Sequence, residues 1–131
     1  MLKTRVRKVY YSHPMPSYGT EKEKDGIYRI EGKFGRVQII NPADTKPQDL
    51  SNFTDEMEFF FKQIDECDAV MFRRLGNVIT SGIGEEINYA LGKGKAVFEI
   101  TDKGFKKVTK PVDFISRELT HELYLKEVEK L

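Results

Sequence analysis

A single cysteine among 131 residues rules out an intramolecular disulfide. Cys67 follows a predicted helix and stands among Asp65, Glu66 and Asp68, where negative charge disfavours a thiolate, so it reads as a structural thiol rather than a reactive one. No constellation of His and Cys has zinc-binding spacing, and nothing in the chain calls for a metal or redox cofactor, so none is expected. No apolar run is long enough to span a bilayer. The N-terminus enters a Val- and Tyr-rich pattern without the apolar core of a signal peptide, so no membrane partner and a cytoplasmic location are expected. Nor does either charge dominate. Lys and Arg number 22 against 21 Asp and Glu, a net charge of +1 that argues against a nucleic-acid polymer as partner. The 39% hydrophobic and 33% charged residues describe a globular chain, and its length suits a single domain with one core.

Strand and helix signals alternate along that domain. Arg5 to Ser12 reads as a first strand, ending in a loop from His13 to Gly19 whose prolines forbid helix. Thr20 and Glu23 fit a capping box for a helix with Ile27, Ile30 and Phe34 on one stripe, weakened by Gly26 and Gly32 and closed by Gly35. Val37 to Ile40 is a short second strand, followed by a polar loop from Asn41 to Asp49. The next helix, about Thr54 to Glu66, gathers Phe53, Met57, Phe60, Phe61 and Ile64 on one face. Phe59 points away from it, as a subunit contact or a lone exposed apolar residue. Asp68 to Phe72 and Ala96 to Ile100 are buried strands, and Phe105 to Val108 is a possible short one. From about Ser116 a closing helix carries Leu119, Leu123, Val128 and Leu131 among charges. The alternation predicts an α/β fold, a small doubly wound parallel sheet of flavodoxin or Rossmann type with helices on both faces. Ligands of such sheets collect at the carboxyl ends of the strands, which brings together the loops Ser12 to Gly19, Asn41 to Asp49 and Arg73 to Ser81.

The most informative stretch is Ser81-Gly82-Ile83-Gly84-Glu85-Glu86-Ile87-Asn88-Tyr89-Ala90-Leu91, a small-residue turn leading into a helix that stops at Gly92 and Gly94. Ser81 is the natural N-cap. At about 100° per residue, Ile83, Ile87, Ala90 and Leu91 share one stripe, Glu86 sits on its shoulder and Glu85 faces the far side. Two adjacent acids are thereby sent to different environments. Glu86 lies beside the packed face, near a helix start whose glycines let a ligand approach the backbone.

Gly82-Ile83-Gly84-Glu85-Glu86-Ile87-Asn88-Tyr89-Ala90-Leu91, followed by Gly94-Lys95-Ala96-Val97, resembles the catalytic segment of the nucleoside 2-deoxyribosyltransferase superfamily, which includes the 2'-deoxynucleoside 5'-phosphate N-hydrolases. The resemblance implies that Glu86 is the glutamate nucleophile, passing a glycosyl group to water or to a second base. A carboxylate suits that chemistry because cleavage of an N-glycosidic bond develops oxocarbenium character at the sugar. It places Tyr10 near the nucleophile, although a strand tyrosine can equally pack in a core with its hydroxyl satisfied. It also suggests a 5'-phosphate cradle from Ser12, Ser17, Thr80 and Ser81 with the amides of Gly82 and Gly84, residue types that caps and turns use too. A small nucleoside or nucleotide ligand is implied, as is a homo-oligomer, since the family often completes its site from a neighbouring subunit.

Two positions depart from the pattern. Asn88 stands where the family has a third glycine, and Phe60 where it carries an aspartate on the helix before the third strand. Glu56, one turn earlier on nearly the same side, is the geometric substitute and the candidate proton-handling partner. Further ligand contacts come from His13, which precedes a proline, and from Asn41 and Asp44, which either bind a sugar hydroxyl or form an Asx-turn. Arg73 and Arg74 hold phosphate, pair with Glu85 or face solvent. A nucleotide hydrolase or transferase is thus one reading, and a non-catalytic nucleotide-binding or sensor module of the same fold is the other.

Overall fold

The structure, a computed structural model, describes residues 5–129, with side chains described to 127. Leu131 and the Val128 side chain, expected on the closing helix, lie outside those limits. The elements run β1 (Lys8–Ser12), α1 (Glu21–Phe34), β2 (Gln38–Ile40), α2 (Glu56–Asp65), β3 (Ala69–Phe72), α3 (Ser81–Gly92), β4 (Ala96–Thr101), β5 (Gly104–Val108) and α4 (Arg117–Glu129), with short 3-10 turns at Met15–Ser17, Pro42–Asp44 and Pro47–Leu50. The five strands form one sheet in the order β2-β1-β3-β4-β5. The first four are parallel, and β5 returns antiparallel to β4 through a hairpin that pairs Thr101 with Gly104. The chain is therefore an α/β protein with a mostly parallel, doubly wound sheet, and the last strand is an antiparallel edge.

Side chains alternate across this sheet as the period of two demands. Val9, Tyr11, Ala69 and Met71 point to one face and pack with Ile27, Ile30 and Phe34 of α1. Tyr10, Val70, Phe72 and Val97 point to the other, against Ile64 of α2 and Ile83, Ile87 and Ala90 of α3. Cys67 is buried in that second cluster, and burial pushes its thiol up to about 12, so it is structural, as its acidic neighbours suggest. Phe59 is not an outward patch. It is half-buried and edge-on to Phe53 and Phe60, with ring centroids 5.3 and 5.4 Å away.

Gly26, which by propensity only weakens α1, has a packing reason to be there. A Cβ at this position would lie 1.9 Å from the Tyr11 hydroxyl, and both residues are fully buried against each other. Overpacking at a site that cannot yield costs about 1–3 kcal/mol or more, so Gly26→Ala is expected to lower unfolding stability by about that much, although alanine is the better helix former. Denaturant unfolding checks it, and a neutral or stabilising result would refute the close approach.

Asn88 also acquires an explanation. Its Oδ1 accepts the Val112 N–H at 2.8 Å and its Nδ2 donates to the Val112 carbonyl at 3.0 Å, clamping the connection between β5 and α4 onto α3. That connection then delivers α4 to the carboxyl ends of the strands.

Candidate active site

Two neighbouring residues of β1 aim hydroxyls at the same carboxylate. Tyr10 and Ser12 share a sheet face because they are two apart, and that face looks onto α3. The Tyr10 hydroxyl donates a short hydrogen bond to Glu86 Oε2, and the Ser12 hydroxyl donates to Oε1 at 2.8 Å. Glu86 is 7% exposed and Glu85 half-buried, and both border the same cleft, so Glu85 is not the solvated far-side acid that the helical wheel predicts. Burial pushes the Glu86 pKa up, the two hydroxyls oppose it and Glu85 adds slightly to the rise, leaving it at about 7. No cation takes part in that balance. A carboxylate held by two neutral donors, without a counter-charge among the described residues, is ionised in part near neutrality, and the ionised form is reactive toward a developing cation.

Glu86 lies at a cleft of about 690 Å³ whose wall also includes His13, Tyr18, Glu56, Phe60 and Ser81. Gly82 lines it as well, with open space where a Cβ would stand. Glu56 is exposed at the start of α2 on the same cleft. Phe60 lines it too, so the departure from the expected aspartate lies within the site.

Other expected ligands sit elsewhere. Gly84 is covered by Phe114: a Cβ there would come within 2.2 Å of that ring, so this glycine serves packing rather than ligand approach. Ser17 turns its hydroxyl to the Pro14 carbonyl at 2.6 Å and faces a separate cavity on the back of the loop. Thr80 is fully buried, 3.5 Å from the Tyr124 hydroxyl. Ser81 is not the N-cap of α3. Thr80 occupies that position without a side-chain cap, and the Ser81 N–H donates instead to Thr120 Oγ1 at 3.0 Å. A residue 39 positions away thus satisfies one orphan N–H of the helix end.

Arg73 and Arg74 neither face the cleft nor pair with Glu85. Arg73 binds Asp25 at 2.5 Å, and Arg74 grips both oxygens of Glu99 at 2.8 and 3.3 Å. Asn41 and Asp44 line an adjoining cavity, and Asn41 Oδ1 accepts the Ala43 N–H in an Asx-turn.

His13 is at the cleft, with both ring nitrogens occupied. Nδ1 is 3.0 Å from the Tyr11 carbonyl and Nε2 2.7 Å from Glu23 Oε2. Burial pushes the imidazole below its ordinary value, against the pull of Glu23 and the Tyr11 carbonyl. The carbonyl can only accept, so Nδ1 carries a proton, and Nε2 faces Glu23. His13 therefore fastens the Pro14–Gly19 loop to α1 and has no nitrogen left for a ligand. Glu23, expected to close a capping box on Thr20, spends its other oxygen on the Gly19 N–H at 3.3 Å.

The sequence reading missed Tyr18, Arg117, Thr120 and Tyr124, all on the cleft. Burial pushes the Tyr18 hydroxyl upward, and Glu86, Tyr124 and Glu56 lie within electrostatic reach of it. Arg117, Thr120 and Tyr124 are spaced i, i+3, i+7, a polar stripe on α4 that was legible in principle. Of the leucines expected on this helix, Leu119 is 42% exposed and Leu123 half-buried.

Among the described residues no group of three or more His, Cys, Asp or Glu side chains could hold a metal, and no helix is long and apolar enough to cross a membrane. No family model and no curated protein matches the chain. Among solved structures it is similar to a conserved protein from Enterococcus faecalis V583, with a TM-score of 0.57 and 15% identity over 96% of this chain and 99% of that one. The likeness is one of fold, shared along nearly the whole of both chains.

Proposed function

We propose that the protein cleaves the N-glycosidic bond of deoxynucleosides through Glu86, releasing the base to water or exchanging it for another. The observation that carries this reading is the buried Glu86 carboxylate, held by the Tyr10 and Ser12 hydroxyls with no cation in contact among the described residues and open to a cleft large enough for a nucleoside. Such a group can stabilise or capture a sugar oxocarbenium without a metal in the step. Glu56, the exposed carboxylate on the same cleft, is the proposed proton-handling partner for the leaving base. The resemblance of residues 82–97 to the deoxyribosyltransferase segment supports the same assignment.

The charge of the cleft bears on the form of the substrate. Asp55, Glu56, Glu85 and Glu86 line it against Arg117 alone among the described residues. Ser12 is committed to Glu86, and Ser17 and Thr80 are not at the cleft. Unphosphorylated nucleosides are therefore expected to react faster than their 5'-monophosphates. The test is base release from a panel of deoxynucleosides and their monophosphates, followed by chromatography. Nucleoside binding without release would overturn the enzymatic reading in favour of a binding module. Phe60 is the observation on the side of that second reading, since it places an apolar ring where the related enzymes hold an acid.

A further inference from the structure

A second cavity of about 340 Å³ adjoins the cleft, and Tyr10, Pro42 and Phe60 border both. Ile39 and Ile40 from the end of β2 and the rings of Phe59 and Phe60 give it apolar walls. Its polar lining is Asn41, Asp44, Thr45, Asp49 and Gln63, with no Lys or Arg among the described residues. This is the composition of a site for a flat heterocycle, apolar across its faces and polar at one edge. The polar groups differ in what they have left to offer. Asp49 accepts the Lys46 N–H, and Asn41 spends its Oδ1 on Ala43 but keeps its Nδ2 donor. Asp44 and Gln63 make no side-chain hydrogen bond or ion pair among the described residues.

We propose that this cavity holds the nucleobase and selects bases bearing an exocyclic amino group, with Asp44 as the group that reads it. The proposal rests on the glycosidic reading of Glu86 for the connection between base and reaction. A carboxylate at Asp44 accepts hydrogen bonds and donates none. An amino group donates to it, whereas the oxo group of a deaminated base turns a carbonyl oxygen toward a carboxylate and is repelled. Beside it, the Asn41 Nδ2 supplies a donor for the ring nitrogen that neighbours an amino group in cytosine and adenine. Uracil and hypoxanthine present an N–H at that position and lose both contacts. A polar edge that leaves its protein groups unpaired is penalised more heavily than a missing methyl group.

The decisive comparison uses pairs that differ only in amino against oxo. We expect the wild-type protein to cleave 2'-deoxycytidine over 2'-deoxyuridine, and 2'-deoxyadenosine over 2'-deoxyinosine, by about tenfold or more in kcat/KM. We also expect it to bind free cytosine about tenfold more tightly than uracil in a calorimetric or NMR titration. Asp44→Asn should bring both ratios within about threefold, because the amide can donate to an oxo group. Asp44 is exposed, so the variant should keep its fold. Equal use of both members of a pair, or a ratio unchanged in Asp44→Asn, overturns the proposal while leaving Glu86 chemistry in place. If cytosine binds selectively and loses that selectivity in Asp44→Asn but no nucleoside is cleaved, the base site stands and the glycosidic reading falls. Failure of any base or nucleoside to bind removes both.

Discussion

Glu86→Gln is expected to lower base release by about 10³-fold or more and at the same time to raise stability above neutral pH. The first effect follows from replacing the only carboxylate that both Tyr10 and Ser12 address with a group that can neither capture a sugar cation nor neutralise it. The second follows from burial. In the folded protein the Glu86 pKa stands at about 7 against an ordinary 4.5, so folding favours the protonated form. The corresponding contribution is fully present below pH 4.5 and is lost as pH rises through 7, a difference of about 3 kcal/mol. The amide does not titrate and retains its hydrogen bonds, because a hydroxyl can turn to accept from its nitrogen. Unfolding measured at pH 5 and pH 8 should show the wild type losing stability relative to the variant by about that amount. Retention of base release in the variant refutes the catalytic assignment. An unchanging difference in stability between the two pH values refutes the electrostatic one.

Opposite effects on function and stability are what a buried, unpaired acid at a working site should give. A carboxylate placed there for structure would have an arginine or lysine beside it, and this molecule shows that alternative elsewhere. Arg74 neutralises the buried Glu99, and Arg73 is tied to Asp25, so the cations nearest the strand ends are used to support the frame.

The burial of Glu86 beside the packed face was legible because helical phase is a local property, and the apolar residues at 83, 87 and 90 set that phase; that Glu85 would reach the same cleft was not. The convergence of β1 and α3 was legible for a related reason: buried strands alternating with helices leave few sheet topologies, and all of them bring these ends together. What required coordinates were contacts between distant parts of the chain. Nothing near Gly26 announces the Tyr11 hydroxyl, and nothing near Ser81 announces Thr120. The antiparallel course of β5 depends on a two-residue turn whose alternative, a longer crossover, the composition did not exclude. Several of the small residues expected in a phosphate cradle show how ambiguous such residues are, since the same types make turns, caps and close packing. Ser17 took the turn and Gly84 the packing, while Ser12 holds Glu86 and Ser81 and Gly82 line the cleft.

Tyr10→Phe should separate a positioning role from a purely structural one. Its hydroxyl hydrogen bond is the larger of the two influences that hold the Glu86 pKa down against burial, and burial together with the adjacent carboxylate keeps the phenol itself well above its ordinary value and therefore a donor throughout the working pH range. Without it the carboxylate rises above about 7, and the acid limb of kcat/KM, which reports the ionisation of the free enzyme's nucleophile, moves to higher pH by the same amount. Activity at pH 7 should fall on the order of 10²-fold, from the smaller ionised fraction and from the lost orientation of the carboxylate. Part of that loss should return as pH is raised, because more Glu86 ionises. Ser12→Ala should move the limb in the same direction by less, since the Ser12 hydrogen bond is the weaker of the two influences. The phenyl ring still fills the space of a residue that is fully buried, so little stability is lost through packing. A loss of equal size at every pH would mean that Tyr10 acts only by shaping the cleft. A limb that moves to lower pH would mean that the hydroxyl does not stabilise the Glu86 carboxylate at all.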